Sequence, residues 1–123
     1  MNRTPIQMAA TFVGLGFLAA GILGFVPGVT TDHLLLGIFE VSLLHNAIHI
    51  VFGLAGLAMA KASAKTYLVG GGVIYLAVWV YGLLFLSSDK LNFVPFNSAD
   101  NWLHLGAGLA MVASGLVLSP RRA

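Results

Sequence analysis

Four side chains that can bind a metal are spaced four residues apart in two otherwise apolar stretches. His45 and His49 form one pair, and Asp100 and His104 form the other. In a helix, residues four apart lie one turn above each other on the same face. If the two helices face each other, three imidazoles and one carboxylate converge, which is a ligand set suited to Zn²⁺ or a similar divalent metal.

An asparagine precedes one histidine of each pair by three residues, Asn46 before His49 and Asn101 before His104. As partners of metal ligands, the two amides would fix the tautomers of the histidines. A simpler interpretation needs no metal: each Asn–His pair hydrogen-bonds across a helix bundle and fixes its register. The sequence leaves both interpretations open.

A second cofactor, haem b, would use only His49 and His104 as axial ligands. Gly53 and Gly108 follow one turn deeper, where small residues would leave room for a flat macrocycle. Close helix packing through the same glycines would instead argue against so wide a cleft. Haem is therefore the less favoured cofactor.

Catalytic machinery is not recognisable in the sequence. There is no cysteine, and we find no Ser-His-Asp set, phosphate-binding loop or paired carboxylates. We predict no catalytic residues, and a protein that is not an enzyme is favoured.

The composition indicates a membrane protein. Of the 123 residues, 59% are hydrophobic and 8% are charged, against about 25% charged in a typical soluble domain. Roughly 20 apolar residues span the ~30 Å hydrocarbon core as a helix. We predict a single all-α domain over 1–123, a bundle of four transmembrane helices at about 6–26, 41–60, 66–86 and 102–118.

The distribution of charge predicts the orientation in the bilayer. Five of the six basic residues flank one side of the predicted spans, and all four acids flank the other. The positive-inside rule then places both termini in the cytoplasm, in a bacterial inner membrane. The net charge of +2 is too small and too scattered to indicate a nucleic-acid partner. The five basic residues are Arg3, Lys61, Lys65, Arg121 and Arg122.

The two outer loops, 27–40 and 87–100, are the longer ones. We expect a short interfacial helix over 30–36, capped by Thr30, Thr31 and Asp32. Residues 93–96 and Trp102 are expected to anchor the second loop at the membrane surface.

An internal repeat divides the chain at about 1–60 and 61–123. The stretch from His45 to Ala55 is similar to the stretch 55 residues later, and residues 13–16 are similar to residues 69–72. This predicts two tandem, pseudo-symmetric helical hairpins related by an axis along the membrane normal. The symmetry would bring the two Asn–His pairs to the same depth, near the outer face.

The motifs around the histidines also resemble a known family. Residues 43–49 with 52–56, and residues 97–104, resemble bacterial four-helix membrane proteins catalogued as a domain of unknown function and common in actinobacteria. The resemblance covers most of the chain and implies four membrane helices. It implies no activity, substrate or cofactor, so no catalytic role is carried over.

Two functions are compatible with these features. The first is an accessory or structural subunit that docks on a larger membrane complex, with the lipid bilayer as its other partner. The second is a metal- or haem-binding membrane protein that uses the His/Asp/Asn cluster.

Overall fold

Four α-helices make up the fold in the computed structural model, which describes residues 3–85 and 97–119. They are α1 (Pro5–Leu23), α2 (Leu43–Met59), α3 (Ala64–Phe85) and α4 (Ser98–Val117). The predicted all-α four-helix bundle is thus confirmed. The predicted anchors at 93–96 and the charges of Asp89, Lys90, Arg121 and Arg122 lie outside the described residues.

The helix starts follow local capping signals. Thr4 and Gln7 form a capping box at α1, with Pro5 in its first turn, and Ser42 caps α2 by accepting from the His45 N–H. Such side chains satisfy backbone N–H groups that have no partner within the helix. Helices α1 to α3 begin and end within three residues of the bounds expected from the sequence.

Helix α4 begins earlier than the predicted residue 102. Asn97 caps it, accepting from the Asp100 N–H at 3.0 Å, while the Asp100 carboxylate accepts from the Asn97 N–H at 2.9 Å. This reciprocal capping box adds one turn of helix before the apolar run begins. Asp100 and Asn101 consequently lie inside α4.

The first outer loop is a small antiparallel sheet, so the helix predicted over 30–36 is wrong. The strands are β1 (Thr30–Thr31), β2 (Leu34–Leu35) and β3 (Phe39–Glu40), in the order β1-β2-β3. Asp32 and His33 join the first two strands with φ of 53° and 64°. Left-handed backbone at both turn residues matches the twist of a two-residue hairpin and is incompatible with a right-handed helix.

The helices pack in two pairs, α1 along α2 and α3 along α4. Glycines form the closest contacts. A Cβ added at Gly14 would lie 2.9 Å from the Gly53 carbonyl oxygen, and one added at Gly72 would lie 2.8 Å from the Gly108 carbonyl oxygen. In both pairs, the backbones approach as closely as small residues allow.

The apolar core and the buried polar groups lie at different ends of the bundle. The core surrounds Leu68 and Met111, and the Tyr67 hydroxyl donates to the Phe52 carbonyl at 3.0 Å there. The polar residues lie in the first two turns of α2 and α4, and α4 contacts β3. The fold thus brings two helix starts together around a polar cluster.

Large apolar side chains cover the outside of the bundle. Phe12, Leu43 and Val117 are each more than three-quarters exposed, and every helix contributes others. Helices α1 and α3 are long and apolar enough to cross a membrane, whereas α2 has 17 residues. A membrane location is therefore supported by two helices.

Candidate functional site

Six polar residues are buried at one end of the bundle, and they are the six that the sequence singles out. None is more than 8% exposed. Removing such groups from water costs free energy unless they find hydrogen-bond partners. The six are His45, Asn46, His49, Asp100, Asn101 and His104.

Three histidines from two helices lie near one another. The ring centres of His45 and His49 are 4.4 Å apart, and those of His45 and His104 are 6.4 Å apart. Helices α2 and α4 therefore do turn their histidines toward each other.

The histidines line a cavity of about 150 Å³, which we call the histidine cavity. Ile48 and Ile74, at its rim, are 41% and 55% exposed, so the cavity opens on the apolar side of the bundle. Its polar lining consists of the histidines and Tyr75. The lining residues are His45, Ile48, His49, Phe52, Ile74, Tyr75, Val78 and His104.

Hydrogen bonding assigns the tautomers of two of these histidines. His45 Nδ1 lies 3.1 Å from the Glu40 carbonyl oxygen. A carbonyl only accepts, so Nδ1 carries the proton and Nε2 of the neutral ring is an acceptor. His49 Nδ1 is fully buried and has no hydrogen-bond partner among the described residues. Because buried N–H groups are rarely left unpaired, we assign the His49 proton to Nε2.

The two asparagines contact the neighbouring helix of their own hairpin. A Cβ at Gly24 would overlap the Asn46 amide, and one at Gly82 would overlap the Asn101 amide. Asn101 Nδ2 donates to the Trp79 carbonyl oxygen at 3.3 Å. This hydrogen bond fits the structural interpretation of the asparagines, which the sequence left open beside the metal interpretation.

Asp100 is absent from the lining of the histidine cavity. Its carboxylate accepts from the Asn97 N–H, which completes the capping box of α4. Asn97 Nδ2 donates to the Ile38 carbonyl at 2.9 Å, and this bond fastens the start of α4 to the residue before β3. The carboxylate therefore has a structural role at the start of α4.

A four-ligand metal centre is not assembled. Across residues 3–85 and 97–119, no group of three or more His, Cys, Asp or Glu side chains is arranged to hold a metal ion. His33, the remaining histidine, lines a separate surface pocket beside Asn46. Metal binding by His45, His49, Asp100 and His104 therefore stays a prediction.

Haem b has too little room. An engineered cavity of about 150 Å³ binds benzene, and the histidine cavity has this volume. The glycines expected to leave space are used in packing: a Cβ at Gly53 would lie 2.5 Å from the Leu18 nitrogen, and one at Gly108 would lie 2.9 Å from the Leu76 side chain. A macrocycle does not fit between these helices.

Helix α3 contributes lining residues that sequence reasoning missed. They are Ile74 and Tyr75, which both line the cavity. The available signal was the hydroxyl of Tyr75, a polar group in the middle of an apolar helix.

The fold and site define a class: small all-α bundles with a buried polar cluster and an apolar-mouthed cavity between helices α2, α3 and α4. The chain belongs to the family described as Domain of unknown function (DUF4383), whose model matches residues 7–117. The resemblance seen in the sequence is thus confirmed. No curated protein and no solved structure matches the chain.

Proposed function

We propose that the protein crosses the membrane four times with both termini in the cytoplasm and that it acts by binding rather than by catalysis. Two helices that are long and apolar enough to span, the exposed apolar side chains on all four helices and the charge distribution support the topology. The 20 residues of α4 and the 17 of α2 are near the length needed to span the hydrocarbon core.

The observation that carries the binding function is the histidine cavity. Three histidines and a tyrosine from three helices line one apolar-mouthed space. Ligand sites are typically apolar cavities with a few convergent polar groups. The lining has no carboxylate or aliphatic hydroxyl beside the imidazoles, so nucleophilic chemistry has no support there.

The mouth of the cavity favours a neutral ligand that arrives from the lipid phase. Ile48 and Ile74 form an apolar rim. A charged molecule would lose its hydration while passing them, at a large cost in free energy. A small lipid-soluble molecule is already outside water, so it loses no hydration on entering.

Extraction of the native protein tests this function. Protein purified from native membranes in mild detergent should release a small organic molecule in about equimolar amount on solvent extraction and mass spectrometry. Ile74→Trp should fill the mouth and abolish retention. Val73→Trp is the matched control, because Val73 is also 55% exposed but does not line the cavity. Absence of a ligand from the wild type, or equal retention by the two variants, would contradict the proposal.

A second candidate is the accessory subunit of a larger membrane complex. Gly16, on the outside of α1, favours it, because a Cβ there would meet nothing within 4 Å in the described chain. An exposed helical glycine lets another membrane helix approach closely. Gly16→Leu should release a co-purifying subunit that Leu15→Phe retains. Purification of the wild type without any such subunit would count against docking.

A further inference from the structure

We propose that the histidine cavity and the groove beside it bind a lipid-soluble, quinone-type molecule. One planar ring with hydrogen-bond-accepting oxygens would occupy the cavity, and a hydrocarbon tail would lie along α2. This inference rests on the proposed binding function and names its ligand class.

The volume of the cavity selects the ring. A dry cavity of about 150 Å³ holds a benzene-sized molecule, and the histidine cavity is about 150 Å³. A single six-membered ring therefore fills it. A fused two-ring system would have to displace the rim.

The walls suit a flat ring. Tyr75 stacks on Phe17 at 4.9 Å between ring centres and meets Phe52 edge-on at 5.1 Å. The same tyrosine lies 5.6 Å from the His104 ring. These mutual contacts hold the aromatic walls in fixed orientations, and aromatic side chains offer faces and edges on which another ring packs.

The polar groups of the lining include hydrogen-bond donors. His49 is 8% exposed and lines the cavity, and its sealed Nδ1 leaves the protonated Nε2 as the nitrogen that a ligand can reach. The Tyr75 hydroxyl is a second potential donor. Two donors match the two carbonyl oxygens of a quinone ring. No lysine or arginine lines the cavity, so an anionic ligand has no counter-charge.

An apolar groove continues from the mouth along the outside of α2. It has a volume of about 360 Å³ and shares Ile48 and Phe52 with the cavity. Its other lining residues are Leu44, Ala47 and Val51. A ring compound in the cavity can therefore place an attached hydrocarbon tail in the groove without crossing a polar barrier.

Direct binding of defined probes tests this ligand class. Purified, delipidated protein in detergent micelles is titrated with 2-decyl-1,4-benzoquinone, and the chain has no cysteine that the quinone would alkylate. Decylbenzene has the same tail and ring without the oxygens. We expect saturable 1:1 binding of the quinone and about tenfold weaker binding of decylbenzene, from the loss of one or two hydrogen bonds. The two-ring 2-decyl-1,4-naphthoquinone should also bind more weakly.

Variants distinguish the contribution of the His49 hydrogen bond from that of the shape of the cavity. His49→Phe keeps an aromatic ring and removes the donor, so quinone binding should weaken about five- to tenfold while decylbenzene binding is unchanged. His33→Phe, in the outer loop, should behave like the wild type. Helical circular dichroism and a monodisperse elution profile confirm that each variant is folded.

The outcomes distinguish the ligand class from the binding function. Equal affinity for the quinone and decylbenzene, or a His49→Phe variant that binds the quinone normally, would overturn the quinone assignment. If no probe binds but native extraction yields a ligand that Ile74→Trp loses, the site stands and the ligand class is wrong. If both experiments are negative, the proposed function fails as well.

Discussion

The buried asparagines and the buried histidines have different surroundings, although both sets lie on α2 and α4. Each asparagine amide occupies the space beside a glycine of the neighbouring helix, where any larger residue would place its Cβ. Asn46 lies against Gly24, and Asn101 lies against Gly82. The histidines face the middle of the bundle and the cavity. The Asn101 amide contacts backbone and fixes register, whereas the histidines line the cavity in which we propose that a ligand binds.

A double-mutant cycle tests the role of Asn101. Gly82→Ala places a methyl group where the amide lies, so we expect it to lower the free energy of unfolding by about 1–3 kcal/mol. In the Asn101→Ala background the same change should cost little, because the amide is gone. Unfolding in mixed micelles of SDS and maltoside measures the free energy of unfolding of the wild type, the two single variants and the double variant. Additive effects would show that the amide and the glycine are not in contact.

The helical pairs depend on glycines at the crossing points rather than on large interlocking side chains. Gly14 meets the backbone of α2 at Gly53, and Gly72 meets the backbone of α4 at Gly108. In lipid there is no hydrophobic driving force between helices, so the dispersion contacts made at such close approach stabilise the pair. The two contacts occupy equivalent places in the α1–α2 and α3–α4 pairs.

Two alanine variants of α1 compare a packed glycine with an exposed one. Gly14→Ala puts a methyl group against the α2 backbone, which cannot move aside as a side chain can, so we expect a loss of about 1–3 kcal/mol. Gly16→Ala meets nothing within 4 Å and should be neutral or stabilising by up to about 1 kcal/mol, because alanine favours helix. The same unfolding titration measures both. An equal loss in the two variants would argue against the described packing of α1 on α2.

On the scale of the whole molecule, the bundle has a basic end and an acidic end, and each end is held by its own hydrogen bonds. Gln7 Nε2 donates to the Lys61 carbonyl at 2.8 Å, which joins the start of α1 to the basic turn between α2 and α3. At the other end, the Asp100 carboxylate accepts from the Asn97 N–H, and Asn97 Nδ2 donates to the Ile38 carbonyl. The proposed orientation puts the first end in the cytoplasm.

Single-cysteine labelling tests that orientation, since the natural chain has no cysteine. In intact spheroplasts, a membrane-impermeant maleimide should label Asp32→Cys, and Lys61→Cys only after permeabilisation. Phe12→Cys should resist labelling in both cases, because this side chain is 78% exposed on a helix that we place in lipid. Labelling of Lys61→Cys in intact spheroplasts would reverse the topology, and ready labelling of Phe12→Cys would argue against a membrane-embedded α1.

Local signals in the sequence determined the helices and the identity of the buried polar residues. Long apolar runs place α1 to α3 within a few residues, and four-residue spacing correctly puts His45 and His49 on one face. Local signals did not settle the outer loop, where Asp32 and His33 adopt left-handed backbone and the chain forms a sheet. There the pairing of strands outweighs the capping pattern read from the sequence.

Tertiary packing decided which of these residues share a site. Spacing puts Asp100 and His104 on one face of α4, but the capping box holds the carboxylate at the helix start, while the imidazole reaches the cavity. Tyr75 and Ile74 join the site only because α3 packs beside α2 and α4. Periodicity states which residues lie on one face of a helix, whereas the rotation of each helix toward its neighbours depends on contacts between segments far apart in the chain.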